Sequence, residues 1–205
     1  HFSDVEDENF TRKQYMEFIR ISEIIEEKLS KKFVKHISNS AGALKYKEFN
    51  LDFIRCGMGL YGLQPLKVKN ENISNVLSWK SKISDLRNLS KGERISYGNE
   101  EIEEDKKIAI VPIGYSHGYI FQNSKNGYVI INGLKANILG NIFMDQMIVD
   151  VTEIDGISIG QEVVVLGDGV EAEEIAKFSN TIADDVISKI SLRVKRIYKQ
   201  GEKNE

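Results

Sequence analysis

The chain has 205 residues, 41% hydrophobic and 29% charged, enough to bury a core in one domain or in one domain and part of another. Lys plus Arg number 28 against 31 Asp plus Glu, a net charge of −3 that offers no electrostatic footprint for nucleic acid. Apolar runs such as 108–113 and 163–166 are too short to span a bilayer, and the single Cys56 excludes an internal disulfide or a multi-cysteine zinc site, so a soluble, cytoplasmic chain is expected.

His1-Phe-Ser-Asp runs straight into an amphipathic segment with no initiator methionine, tag or signal, as expected for a piece of a longer protein. Thr11 and Gln14 fit a capping box. Phe10, Met16, Phe18, Ile21, Ile25 and Leu29 then give a helical apolar stripe, with Lys31 and Lys32 at its end. Phe33, Val34 and Ile37 predict a short strand, 39–42 a turn, and Phe53 and Ile54 a second strand ending near Arg55-Cys-Gly57. About two parallel α/β units are present, too few for a closed eight-stranded barrel.

After Gly62-Leu-Gln-Pro65 the pattern changes. Leu77, Trp79, Ile83 and Leu86 predict one strand, followed by strands at 108–113, 128–131, 138–143, 147–151 and 163–166 between Gly, Asn and Asp breaks. Helix is predicted over 170–190 and a last strand over Arg193–Tyr198; the Lys and Glu clusters at 100–107 and 200–205 read as solvated faces and a frayed end. The boundary is set at 64/65, with a partial α/β domain over 1–64 and a complete β-rich domain over 65–205.

Five places carry residue types suited to chemistry. Around His36-Ile-Ser-Asn39-Ser40 a strand end feeds a small-residue turn; Asn39 or Ser40 caps a helix there, or the turn holds a phosphate. Arg55-Cys-Gly57-Met58 is a second strand end where backbone can approach an anion, although a lone arginine also serves as a surface ion-pair partner. Ser96-Tyr97-Gly98, Gly114-Tyr115-Ser-His117 and Gly140-Asn141-Ile-Phe-Met144-Asp145 are polar breaks in β-rich sequence, each readable as a tight turn with a packed aromatic. His117 has no companion at metal-ligand spacing, so no metal site is expected.

Taken in order, His1-Phe2, His36-x-x-Asn39-Ser40-Ala41, Arg55-x-Gly57-x-x-Leu60-Tyr61-Gly62, Ser96-Tyr97-Gly98, Pro112-Ile-Gly114-Tyr115, Gly140-x-x-x-Met144-Asp145-Gln146 and Arg193-Val-x-Arg196-Ile-Tyr198 form a series. As a series it resembles the C-terminal part of the alanine racemases, pyridoxal-phosphate (PLP) enzymes of D-alanine and cell-wall synthesis. The resemblance covers essentially the whole chain. It implies a mixed α/β and β fold: the last βα units of a TIM-like barrel over 1–64, then the family's β domain over 65–205.

The resemblance also implies roles. Ser40 and the backbone at Gly57 and Met58 would hold the cofactor phosphate, Arg55 would contact the pyridine nitrogen, and His36 would support Arg55. Tyr97 would be the catalytic tyrosine and His1 the histidine that hydrogen-bonds it. Met144 would bind the substrate carboxylate through its backbone, with Tyr115 and Asp145 at the entrance. The substrates would be L- and D-alanine, and the assembly a head-to-tail homodimer in which Tyr97 acts on the partner's cofactor. The family's cofactor lysine has no motif-matched counterpart in this sequence, so the piece alone is expected to be inactive. His117, Phe121, Asn141 and Leu192 replace residues common in the family and leave the substrate range open. The racemase domain of a membrane-tethered serine or alanine racemase, and a non-catalytic dimerisation module, are the alternatives.

Overall fold

The computed structural model describes residues 1–199; the 200–205 cluster lies outside the described residues. Packing gives two compact units, His1–Val76 and Leu77 onward. Residues 65–76 pack with the first unit: the Gln64 carboxamide donates to Asn70 O and Ile73 O, and Leu66 lies against its core. No helix among the described residues is long and apolar enough to cross a membrane.

In the first unit, α1 spans Glu8–Leu29 and α2 Ser40–Lys45. The Thr11–Gln14 capping box does not form. Asp7, an equally strong capping residue, takes the N-cap and accepts from Phe10 N–H at 2.9 Å. Thr11 is instead buried and donates to Asp4 O, and Gln14 accepts from the Ser3 N–H. Ser30 ends the helix in the left-handed region (φ 49°), which leaves Lys31 and Lys32 beyond the cap. The predicted apolar stripe is also displaced. Tyr15 and Phe18 carry the packing against Phe2, Val5, Ile37, Tyr46 and Phe49, while Phe10, Met16, Ile21, Ile25 and Leu29 are exposed.

The segments predicted as strands at 33–37 and 53–54 run alongside each other without completing a ladder. Asp52 N–H donates to Lys35 O and Arg55 N–H to Ser38 O, at the same register offset. Two bonds on one side are short of strand pairing, but they suffice to set Arg55 beside His36. The segment following α1 is pinned by the buried Glu26 carboxylate. It accepts from the Phe33 N–H and pairs with Lys32 and Lys35 at 2.9 and 3.0 Å.

The Phe33 hydrogen bond, then the two lysines, lower the Glu26 pKa from 4.5 to about 2. A carboxyl with a depressed folded pKa stabilises fully above its unfolded value and loses that contribution as pH falls through the folded one. The urea midpoint of this unit should therefore fall as pH drops from about 4.5 toward 2, and Glu26→Gln should flatten that slope. An equal acid slope in both proteins would contradict the assignment.

The second unit is built on a seven-stranded antiparallel sheet. Its strands are β1 (Trp79–Lys82), β2 (Asp85–Leu89), β5 (Lys106–Val111), β6 (Tyr128–Ile131), β7 (Leu134–Leu139), β8 (Met147–Asp150) and β9 (Glu162–Leu166), in the order β1-β9-β6-β7-β8-β5-β2. The strand expected over 77–86 is two strands. β1 pairs with β9 and β2 with β5 at the opposite end of the order, yet only Ile83 and Ser84 separate them. A two-residue link between the two ends of a sheet requires the sheet to curl on itself.

One face buries Ala109, Val111, Val129, Ile131, Ala136, Ile138, Met147, Val149, Val163 and Val165. On the other face of β5 and β8, Ile108 and Ile148 pack with Ile95 and Ile102, from a two-stranded hairpin of β3 (Arg94–Ile95) and β4 (Glu100–Glu101) and the residue after it. The hairpin tip carries Tyr97.

Three further expectations change. The strand placed at 138–143 is β7 and ends at Leu139, where Gly140 turns into the left-handed region (φ 63°). The helix over 170–190 is two short helices, α3 (Ala172–Phe178) and α4 (Ala183–Ser188). Arg193–Tyr198 forms no strand, because the Arg196 guanidinium donates to Ile190 O, Ser191 O and Val194 O and folds the segment back on residues 190–194.

Candidate active site

Two groups of the candidate residues form, one on each unit. In the first unit, α2 starts at Ser40 because Asn39 caps it, its Oδ1 accepting from the Gly42 N–H at 2.9 Å. Glycine is needed at 42, since a Cβ there would lie 2.7 Å from the Phe2 ring. The buried Ser40 hydroxyl gathers two backbone donors, the Gly57 N–H at 3.0 Å and the Gly59 N–H at 3.3 Å, and donates to Cys56 Sγ at 3.7 Å. A Cβ on Gly57 would meet nothing within 4 Å, so the space over this edge is open. Met58 begins the 3₁₀ turn that follows, and Gly62 closes it at φ 85°, where a Cβ would lie 2.1 Å from Ser74 O. Hydroxyl and amide donors converging beside open space suit an anion of phosphate type.

Beside them Arg55 holds two histidines. One arm of its guanidinium meets His36 Nδ1, and the other meets His1 Nδ1 at 2.6 Å. Arginine only donates, so both Nδ1 atoms accept and both ring protons sit on Nε2. Asn39 Nδ2, 3.3 Å from His1 Nε2, then faces a donor there and donates instead to Phe2 O at 3.3 Å. His36 is also stacked on Phe53 at 4.3 Å. His1, His36 and Arg55 thus form one chain of contacts, next to Ser40 and Gly57.

In the second unit the tip of the β3–β4 hairpin, the 114–117 loop and the 140–145 loop come together. Tyr97 is 73% exposed, with its ring 5.3 Å from that of Phe143. Tyr115 N–H donates to Phe143 O and Ser116 N–H to Met144 O, strapping one loop to the other. Glycine is required at 114, because a Cβ would lie 2.2 Å from Phe143 O. The Met144 and Asp145 side chains are exposed. Tyr115 meets Phe121 edge-on at 6.1 Å. His117 is taken up locally, its Nδ1 accepting from the Gly114 N–H, and no group of metal-ligating residues occurs among the described residues. Leu192 is 98% exposed. The sequence reading missed Ser96 and Phe143 as partners of the candidate residues, whereas Asn39 is the helix cap it offered. Asn141 it noted only as a departure. Ser96, Asn141 and Phe143 act through contacts over long sequence separations, which spacing does not reveal.

Comparison with known proteins gives these clusters a common frame. A family model described as "Alanine racemase, N-terminal domain" matches residues 1–65, and one described as "Alanine racemase, C-terminal domain" matches residues 76–198. The chain is 38% identical to the alanine racemase of Halothermothrix orenii, over 97% of this chain and 55% of that one. Among solved structures, the alanine racemase of Clostridium difficile 630 superposes with a TM-score of 0.89 at 34% identity, over 98% of this chain and 54% of that one. That of Bartonella henselae, with covalently bound pyridoxal phosphate, gives 0.84 at 27% identity, over 97% and 55%. The chain therefore spans about half the length of the relatives it matches. Matched over residues 1–65 and 76–198 by the family's two domain models, the chain belongs to the alanine racemase family.

Proposed function

We propose that the chain is a piece of a cytoplasmic, PLP-dependent alanine racemase that interconverts L- and D-alanine for cell-wall synthesis. Residues 1–64 are the last part of a TIM-like cofactor barrel, and residues from 65 onward the connection and β domain. The observation that carries the reading is Arg55, held between His36 and His1 beside the amide donors gathered at Ser40. An arginine fixed in this way suits the cofactor's ring nitrogen, and the donor cluster suits its phosphate.

Bound PLP supplies an electron sink for charge that develops at the substrate α-carbon. Ser40, Gly57 and Met58 would hold its phosphate. Arg55 would donate toward the ring nitrogen and, being permanently charged, would disfavour protonating it. Less charge would then pass into the ring, which would disfavour side reactions. His36 keeps Arg55 in place. Tyr97 would move a proton at the alanine α-carbon on one face, opposite the face served by the lysine of the half this chain lacks.

The Met144 backbone N–H binds the substrate carboxylate, and Tyr115 and Asp145 line the entrance. In a head-to-tail homodimer Tyr97 serves the partner subunit's cofactor, with His1 as its hydrogen-bonding neighbour there. The exposed Tyr97 and Met144 side chains support such an arrangement.

The 205-residue chain should hold PLP weakly and without a covalent lysine linkage. Lys32, Lys35 and Lys45 are engaged by Glu26 and Glu6, which is consistent with this. After borohydride reduction, peptide mapping should find no stoichiometric pyridoxyl-lysine, and adding the missing half in trans should restore racemisation. A single stoichiometric pyridoxyl-lysine within residues 1–205 would overturn the lysine assignment. No racemisation with the added half, although the two pieces associate, would favour a non-catalytic module.

A further inference from the structure

We propose that Asn141 is a positioning residue for Tyr97, fixing the tyrosine's backbone through a side-chain hydrogen bond to its carbonyl. The proposal rests on the reading of Tyr97 as an acid–base group. Three bonds tie the hairpin tip to the loop after β7. Asn141 Nδ2 donates to Tyr97 O at 2.7 Å, Ser96 Oγ donates to Asn141 O at 2.9 Å, and Asn141 N–H donates to Ser96 Oγ at 2.8 Å. The tip needs such ties. Ser96, Gly98 and Asn99 all have positive φ, at 60°, 97° and 52°. Glycine and asparagine take that region readily, but Ser96 does not share their preference, and it is the Ser96 hydroxyl that is bonded to Asn141.

The two loops also fit closely. Gly140 has φ 63°, and a Cβ there would lie 2.6 Å from Ser96 Cβ, so glycine is what lets the loops approach. Phe143, two residues beyond Asn141, meets the tyrosine ring. The backbone of Tyr97 is thus fixed while its ring is 73% exposed, so χ1 and χ2 alone set where the hydroxyl goes. A proton-transfer group works only within a narrow distance of its target, and this fixing removes most of the search. Asn141 itself lies at the far end of the arrangement and acts through Tyr97.

Asn141→Asp tests this. It keeps the size of the side chain and replaces the donor with an acceptor that repels the Tyr97 carbonyl. In the full-length enzyme, turnover of L-alanine should fall about 3- to 10-fold, the worth of one hydrogen bond, with KM changed less than about 2-fold. In the cofactor-free protein, the ¹³C-tyrosine ring signal that disappears in Tyr97→Phe should shift and broaden, because the ring leaves Phe143. If Asn141→Asp does not unfold cooperatively, Asn141→Ala decides by the same two readouts.

An unshifted Tyr97 signal with wild-type turnover overturns the proposal, as does a lowered melting temperature with both readouts unchanged. The two ideas fail separately. Wild-type turnover in Tyr97→Phe sinks the catalytic reading, whereas loss of turnover there with no effect of either Asn141 variant sinks the positioning role.

Discussion

Tyr97→Phe in the full-length enzyme should lower racemisation by ~10²–10⁴, or roughly 3–5 kcal/mol, the usual cost of removing one acid–base group. The substitution deletes a hydroxyl for which no hydrogen bond is described and keeps the ring that packs on Phe143. Stability and the cofactor's absorption spectrum should therefore stay close to wild type. The defect should also be asymmetric: if Tyr97 works on one face of the substrate, α-proton exchange starting from one enantiomer should be lost more completely than from the other. Circular dichroism follows the interconversion, and NMR in D₂O follows the exchange. Equal residual exchange from both enantiomers would remove Tyr97 from the proton-transfer step.

The second large effect is structural. A methyl at Gly114 would sit 2.2 Å from Phe143 O, 2.6 Å from Met144 C and 2.7 Å from Asp145 N. These are backbone atoms and cannot rotate aside. Gly114→Ala should destabilise the second unit by about 3 kcal/mol, at the upper end for overpacking, and should displace the Met144 amide. Gly133→Ala is the control: φ is 77°, but a Cβ there meets nothing within 4 Å, so only about 1 kcal/mol of backbone strain is expected. Urea midpoints measure both. Equal small losses would mean that the 114–117 and 143–145 loops are not in close contact.

Sequence pattern revealed the parts governed by local rules. The run Ile108–Val111 reads as strand because β5 is buried on both faces, and the Ser-Tyr-Gly break reads as a turn because a hairpin tip lies there. What pattern missed depends on distant partners. The 77–86 strand divides because its halves pair with opposite ends of a curled sheet. Arg193–Tyr198 has apolar spacing suited to a strand, but Arg196 finds three carbonyls nearby and folds it back. The α1 stripe was legible as helix but not as surface, since Tyr15 and Phe18 turn the helix another way.

At the site, residue types were legible one motif at a time. The resemblance put His36 beside Arg55, but the Arg55–His1 contact and the Asn141–Tyr97 bond were not legible, because they join residues up to 54 positions apart.

The most direct test is subunit mixing in the full-length enzyme. One subunit carries Tyr97→Phe and the other lacks the cofactor lysine, so neither homodimer racemises alanine. If Tyr97 serves the partner's cofactor, each heterodimer gathers both lesions in one site and leaves the other intact, and a random equal mixture should recover about a quarter of wild-type activity. If heterodimers form, as shown by native mass spectrometry, and no mixing ratio recovers activity, Tyr97 does not act in the partner's site.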